Sequence, residues 1–281
     1  MTENPVLVSR TTPAPYIMGR TDRERNRLLL QGSILNPLTE HLLRKAGISA
    51  GMRVLDLGCG IGDVASIAAR LVGPNGQVIG IDVDSQALEL ARERASDANS
   101  RHLTFERADF TEYHPDKSFD AVVARHVLLH TADPLSVMRK AASFLRPGGI
   151  AALEEYDLSF WPAGYPETPL ASGLQQAMVQ LFRAVTPHPN IGMRLCHLMQ
   201  KAGFSTVRSS AECLMDGGPD SMFYQWFAET VQSVLPVMEK LGLAALARDA
   251  ASLAERLRDE ILAARSCLTS PLIVHAFGRK T

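Results

Sequence analysis

Arg53-Val54-Leu55-Asp56-Leu57-Gly58-Cys59-Gly60-Ile61-Gly62 decides the fold. Its first five residues are a short apolar run holding one acid, the length of a buried strand rather than of a helix. Three glycines in alternation follow, and then Val64, Ile67, Ala68 and Leu71 fall on one helical face. Strand, tight turn and helix therefore succeed one another within twenty residues. Glycine lets backbone approach a ligand with no Cβ in the way, and a helix start offers free N–H groups. The spacing is G-x-G-x-G, and Asp56 stands just before it. A carboxylate there repels a dinucleotide phosphate and welcomes a cationic or amine-bearing ligand.

Outward from this unit the chain keeps alternating. Gly73 to Gly76 is a turn and Gln77 to Ile81 a second strand; Leu88, Ala91 and Ala95 mark a helix. Leu103 to Glu106 and Phe119 to Ala124 are further strands. Pro134 opens a helix that Pro147-Gly148-Gly149 ends before a fifth strand, Ile150 to Glu155. Strands separated by helices of this length pair in parallel through right-handed crossovers, which predicts an α/β, doubly wound sheet. Before it the sequence predicts a Pro/Thr-rich flexible lead-in and two helices. One starts at the capping-box pattern Thr21-x-x-Glu24, the other restarts at Asn36-Pro37 and ends at Gly47. After it come helices over 169–185 and 192–202, a strand over 205–213, a helical pair over 219–266 broken near Pro236 and Gly242, and a closing strand over 271–277. The expected division is N-terminal lid helices (1–47), a ligand-binding core (48–213 and 270–281), and helical insertions covering the acceptor (157–190 and 219–266).

Composition narrows the function. The 281 residues carry 29 Lys and Arg against 30 Asp and Glu, which removes the basic footprint of a nucleic-acid binder. With 46% hydrophobic residues the chain is globular rather than disordered. The sequence holds no apolar run long enough to span a bilayer and no secretory leader pattern. Cys59, Cys196, Cys213 and Cys267 are scattered, which predicts reduced thiols in a cytoplasmic protein, with no zinc site.

Two further acidic positions join the glycine turn. Asp82, at the end of the second strand, is placed to accept both hydroxyls of a ribose, while Asp84 reads as the cap of the next helix. Asp109 is suited to accept from an adenine amine, with Phe110 against the ring. His126 and His130 stand at i,i+4 and are candidates for one helix face, but HVLLH lacks the Glu of H-E-x-x-H and no third ligand is apparent, so no metal is expected.

Asp56-Leu57-Gly58-Cys59-Gly60, Asp82, Asp109-Phe110 and Leu145-Arg146-Pro147-Gly148-Gly149 together resemble the class I S-adenosylmethionine-dependent methyltransferases. The likeness is to the small-molecule branch that includes ubiquinone, menaquinone and secondary-metabolite enzymes. It implies a Rossmann-like seven-stranded sheet of order 3-2-1-4-5-7-6 with the final strand antiparallel. It also implies that Gly58, Cys59, Gly60 and Gly62, with Asp56, hold the amino-acid part of S-adenosylmethionine. Asp82 then holds the ribose, Val83 an adenine face, and Asp109 and Phe110 the adenine edge. Arg125 follows the fourth strand, where relatives set backbone against the methionyl group. Tyr16 to Arg20, with Gln31, resembles a lid segment over the donor, the Tyr16 hydroxyl facing the reacting centre.

The activity so implied is methyl transfer to O, N or C of a small aromatic or heteroaromatic acceptor. His130 is the candidate base and Tyr16 a second catalytic candidate. His126, Glu155, Tyr156, Trp161, Tyr165, Phe182 and His188 are candidates for acceptor contact, and the apolar faces near Trp226 and Phe227 for a homodimer. The alternatives are a non-methylating reaction on the same fold, such as a pericyclisation, or a cofactor-dependent binding module.

Overall fold

A computed structural model of the chain describes residues 22–98 and 100–281. The lead-in, Tyr16, Arg20 and the Thr21 cap lie outside the described residues. Helix α1 runs unbroken over Asp22–Ala46 with Pro37 inside it, so the two helices expected here are one. An internal proline forfeits one hydrogen bond and costs about 3 kcal/mol. Its surroundings offset this: Pro37 faces solvent while Leu35, Leu42 and Leu43 are buried. Asn36 is not a cap; its Oδ1 accepts from Arg125 Nη1 at 3.0 Å, and Thr39 Oγ1 accepts from the same nitrogen.

The alternation then proceeds as β1 (Arg53–Leu57), α2 (Asp63–Val72), β2 (Gln77–Asp82), α3 (Ser85–Asp97), β3 (Leu103–Arg107), β4 (Phe119–Arg125), α4 (Pro134–Phe144) and β5 (Leu145–Asp157). Next come α5 (Pro169–Val185), α6 (Ile191–Lys201), β6 (Phe204–Glu212), β7 (Met215–Asp216), α7 (Met222–Lys240), α8 (Leu253–Ala264), β8 (Leu268–Thr269) and β9 (Leu272–Lys280). Helix α7 continues through the exposed Pro236, and the break expected there falls only at Gly242, whose φ is +70°. Leu145 to Gly149 opens β5 instead of preceding it, at the cost of a register shift between Phe119 and Ala121.

Seven strands form one sheet in the order β3-β2-β1-β4-β5-β9-β6, with β9 antiparallel to both neighbours. This is the order and polarity that the family resemblance implied. The short β7 and β8 pair separately, which the sequence did not announce. Side chains alternate between two cores. Leu55, Ile79, Val122 and Ala151 share one core with α4, α6 and the helices beyond them; Val54, Val78, Val123 and Ala152 face α2, α3 and the end of α1. Trp226 and Phe227 are buried in the first core, so the faces expected to support a dimer are used within the chain. Helix α1 packs against α7: Arg23 pairs with Glu229, and Ser233 Oγ donates to Glu24. Among the described residues no helix is long and apolar enough to cross a membrane.

Candidate functional site

Parallel register brings the carboxyl ends of β1, β2 and β4 to one edge: Leu57 lies beside Ile81 and Ala124, and Asp82 beside Arg107. There a cavity of about 930 Å³ opens between the strand tips and a roof made by α1, α5 and α7.

The glycine turn forms one wall. Gly58 has φ +62°, and a Cβ on it would meet Val127 Cγ2 at 2.8 Å, so this position needs glycine twice over. Gly60, at φ +50°, faces open space instead, with nothing within 4 Å of an added Cβ. Asp82 Oδ2 accepts from Gly60 N at 2.8 Å and Oδ1 from Asp84 N at 2.9 Å, which ties the turn to the tip of β2. Asp84 caps α3, as expected, accepting from Gln86 N and Ala87 N. Asp109 accepts from Thr111 N and Oγ1 at the tip of β3, with Phe110 beside it on the cavity wall.

Asp56 is buried on β1, and its Oδ2 has no hydrogen-bond partner among the described residues. Burial pushes its pKa up to about 8, and the neighbouring Asp82 and Asp63 add to the shift against the pull of Arg125. The cavity corner thus holds a carboxyl group that a bound cation would help to ionise.

Asp63, the first residue of α2, was not singled out from sequence. It takes Arg94 Nη2 at 2.6 Å and Arg125 Nη2 at 3.1 Å, both as ion pairs. Arg125 is therefore a clamp joining α1, α2 and β4. An acid at a helix start reads as a dipole partner, so no local signal marks this one as the hub. Arg27 was missed as well. Buried on α1, it donates to both oxygens of Glu24 and, through Nη1, to Gln31 Oε1 at 2.8 Å. All three line the cavity.

Neither histidine is on an α-helix. His126 has a left-handed backbone, φ +57°, and the chain then makes a single 3-10 turn over Leu128–His130. The shared helix face expected of His126 and His130 does not form. His126 stacks on Tyr156, ring centroids 4.0 Å apart and planes 15° from parallel. Burial holds His126 well below the usual imidazole pKa, with Arg125 adding to it. His130 is lowered to about 4, by burial first and then by the Arg27 charge. The neutral-range base expected at His130 is thus a much weaker one. Among the described residues no cluster of three His, Cys, Asp or Glu side chains could hold a metal.

Gln31, Cys59, Val83, Tyr156, Trp161 and Phe182 join the lining as expected, with Trp226 and Thr230 from α7. Burial raises the Cys59 thiol far above its usual pKa, which leaves it inert. Four expected residues are elsewhere. Gly62 lies beneath the turn, where a Cβ would strike Phe105. Glu155 points under it: Oε1 accepts from Val127 N at 2.8 Å and Leu128 N at 2.6 Å. Burial lifts the Glu155 pKa to about 8. Tyr165 is 89% exposed outside the cavity. His188 sits between Ala132 O and Arg194, off the lining. Position at a strand end or in an aromatic-rich loop suggested these residues, and neither feature fixes the direction of a side chain.

The comparisons with known proteins agree with this geometry. Methyltransferase GfsG of Streptomyces halstedii is 38% identical over 120 residues, 42% of each chain. The 27-O-demethylrifamycin SV methyltransferase of Amycolatopsis mediterranei is 41% identical over 131 residues, 45% of this chain and 47% of that one. The chain therefore spans less than half the length of these relatives. Among solved structures, the YcgJ protein of Bacillus subtilis superposes with a TM-score of 0.58 over 86% of this chain and 97% of that one, at 17% identity, a likeness of fold. A family model described as a methyltransferase domain matches residues 48–211, more than half of the sequence, and to that family the chain belongs.

Proposed function

We propose that the protein transfers a methyl group from S-adenosylmethionine to O, N or C of a small aromatic or heteroaromatic acceptor. One observation carries this reading: the buried Asp56 carboxyl, whose Oδ2 has no hydrogen-bond partner among the described residues, beside a glycine turn whose Gly60 faces the cavity. The donor's ammonium group is the kind of cation that this carboxyl lacks. Gly58, Cys59 and Gly60 would hold the amino-acid part, Asp82 the ribose, Val83, Asp109 and Phe110 the adenine. Asp82 would keep Gly60 in place while doing so, because its Oδ2 already binds that amide.

When bound, the donor supplies an activated methyl on a cationic sulfur, which keeps the bonding electron pair as the acceptor takes the methyl. The protein's share is alignment and dryness. Orientation alone is worth roughly 7–11 kcal/mol in such displacements. Trp161, Phe182 and Trp226 would hold an acceptor ring, and α1, α5 and α7 would exclude water from it. His130, neutral at working pH with its pKa at about 4, would accept a hydrogen bond from the acceptor. It would take the proton only as the new bond makes that proton acidic. The free thiols Cys59, Cys196, Cys213 and Cys267 support a reducing, cytoplasmic setting.

Calorimetry with S-adenosylhomocysteine and a labelled-methyl assay over phenolic, indolic and amine acceptors test the reading. Absence of donor-product binding overturns it; binding without label transfer moves the protein to another reaction on this fold.

A further inference from the structure

Several polar atoms of the cavity-lining residues are left without a partner by the protein. Among the described residues, Asp56 Oδ2, His126 Nε2, the Tyr156 hydroxyl and Trp226 Nε1 are buried atoms with no hydrogen bond, and all four residues line the cavity. Buried polar groups are almost always paired, because a bare one costs its full desolvation. Such atoms gathered around one cavity point to a ligand that completes them. The donor's ammonium group accounts for Asp56. The remaining three come from separate parts of the sheet and its roof: His126 follows β4, Tyr156 lies on β5 and Trp226 on α7.

Neighbouring groups are spent inside the protein. Trp161, its ring centroid 6.3 Å from that of Trp226, donates its Nε1–H to Thr269 O at 2.9 Å. Thr230 Oγ1 donates to Trp226 O at 2.7 Å. The Trp226 indole N–H can only donate, so a lone-pair atom has to come to it. Burial raises the Tyr156 hydroxyl above the ordinary phenol pKa, and Glu154 adds to this against Arg27 and Arg125. Tyr156 therefore keeps its proton and is a second neutral donor. The His126 ring stacks on Tyr156 at 4.0 Å, and burial holds it neutral, so it brings no charge to the pair. Two neutral donors in a cavity that Leu129, Leu158 and Phe182 also line fit the lone pairs of an uncharged oxygen.

We propose that the acceptor is an apolar molecule carrying a carbonyl-type oxygen, as in a ketone, quinone, ester or lactone, which the Trp226 N–H and the Tyr156 O–H bind. The two residues determine specificity by holding that oxygen while another atom of the molecule takes the methyl. Its place as methyl acceptor rests on the methyl-transfer reading, but the oxygen contact is measurable without turnover.

The chain has two tryptophans, Trp161 and Trp226, and both line the cavity, so intrinsic fluorescence reports its occupancy. Trp161 still reports when Trp226 is replaced. The probes are benzylacetone and butylbenzene, one apolar body with and without a carbonyl oxygen. Both are titrated in the presence of saturating S-adenosylhomocysteine, which fills the donor end. In Tyr156→Phe and in Trp226→Phe the ratio of ketone to hydrocarbon affinity should fall about three- to tenfold from its wild-type value. Lost packing alone lowers both affinities together and leaves the ratio where it was. A ratio unchanged in either variant overturns the proposal, as does a wild-type protein that does not bind the ketone. Stability of the empty protein is the second measurement. Tyr156→Phe removes an unpartnered buried hydroxyl, so Tm should stay level or rise. A lower Tm means that the hydroxyl already has a partner, and this too overturns the proposal. Should S-adenosylhomocysteine not bind the wild-type protein in calorimetry, the methyl-transfer reading fails by itself, whatever the ketone series shows.

Discussion

Asp63 bridges two arginines that come from different layers of the fold, Arg94 on α3 at 2.6 Å and Arg125 at the end of β4 at 3.1 Å. Its Oδ2 also lies where a Cβ on Gly32 would come within 2.5 Å. A side chain at residue 32 would press on this carboxylate, so α1 packs here with a glycine. Gly32→Ala should gain about 1 kcal/mol of helix propensity. It should lose more, about 1–3 kcal/mol, by overpacking against an acid that two ion pairs hold still. Net destabilisation in urea denaturation is the expected result.

Gly60→Val should abolish S-adenosylhomocysteine binding in calorimetry and leave the far-ultraviolet dichroism unchanged. The added Cβ enters the cavity with no described atom within 4 Å, although the left-handed backbone adds a strain of about 1–2 kcal/mol. Retained affinity would place the ligand elsewhere.

Asp82→Ala should weaken the same binding by about 1–3 kcal/mol. Two losses combine: ribose contacts, and the anchoring of Gly60 N and Asp84 N. A slower association rate should accompany the weaker affinity, because the turn is no longer preset.

Asp56 should release a proton when the donor or its product binds. With its pKa at about 8 the carboxyl is mostly protonated at neutral pH, and a bound ammonium favours the ionised form. Calorimetry in buffers of different ionisation enthalpy measures the release, and Asp56→Asn should remove it. An unchanged proton count in the variant would assign the titration to another group.

Glu155 offers a pH test of stability. Burial raises its folded pKa to about 8, above the unfolded value near 4.3. Between these values the unfolded chain has lost the proton and the folded one keeps it, so stability falls as pH rises, by about 1.4 kcal/mol per unit. Glu155→Gln keeps an oxygen for Val127 N and Leu128 N. It should flatten this slope between about pH 4.3 and 8 when unfolding free energy is followed against pH.

The sheet was legible because short apolar strands, glycine turns and helix caps each carry a local mechanism, as at Asp84 and in the run Val54 to Gly62. Proline was misleading where tertiary packing outweighed it. Pro37 and Pro236 both sit inside helices whose opposite faces are buried. At the site, backbone-determined positions were readable: Gly58, Gly60, Asp82 and Asp109 stand where a strand tip must put them. Side chains whose direction depends on distant partners were not. Glu155 turned toward Val127, Tyr165 toward solvent, and Arg27 acquired its place from Glu24, Gln31 and the approach of α7.

The antiparallel β9 lies between β5 and β6, and among the described strands β6 pairs with β9 alone. During synthesis β6 emerges well before its partner, with α7 and α8 still to be made. The growing chain must therefore hold an unpaired edge strand while the helices of the roof emerge, and the sheet zips shut only when β9 slides into the gap. Chaperone dependence and sensitivity to translation speed should concentrate in this interval.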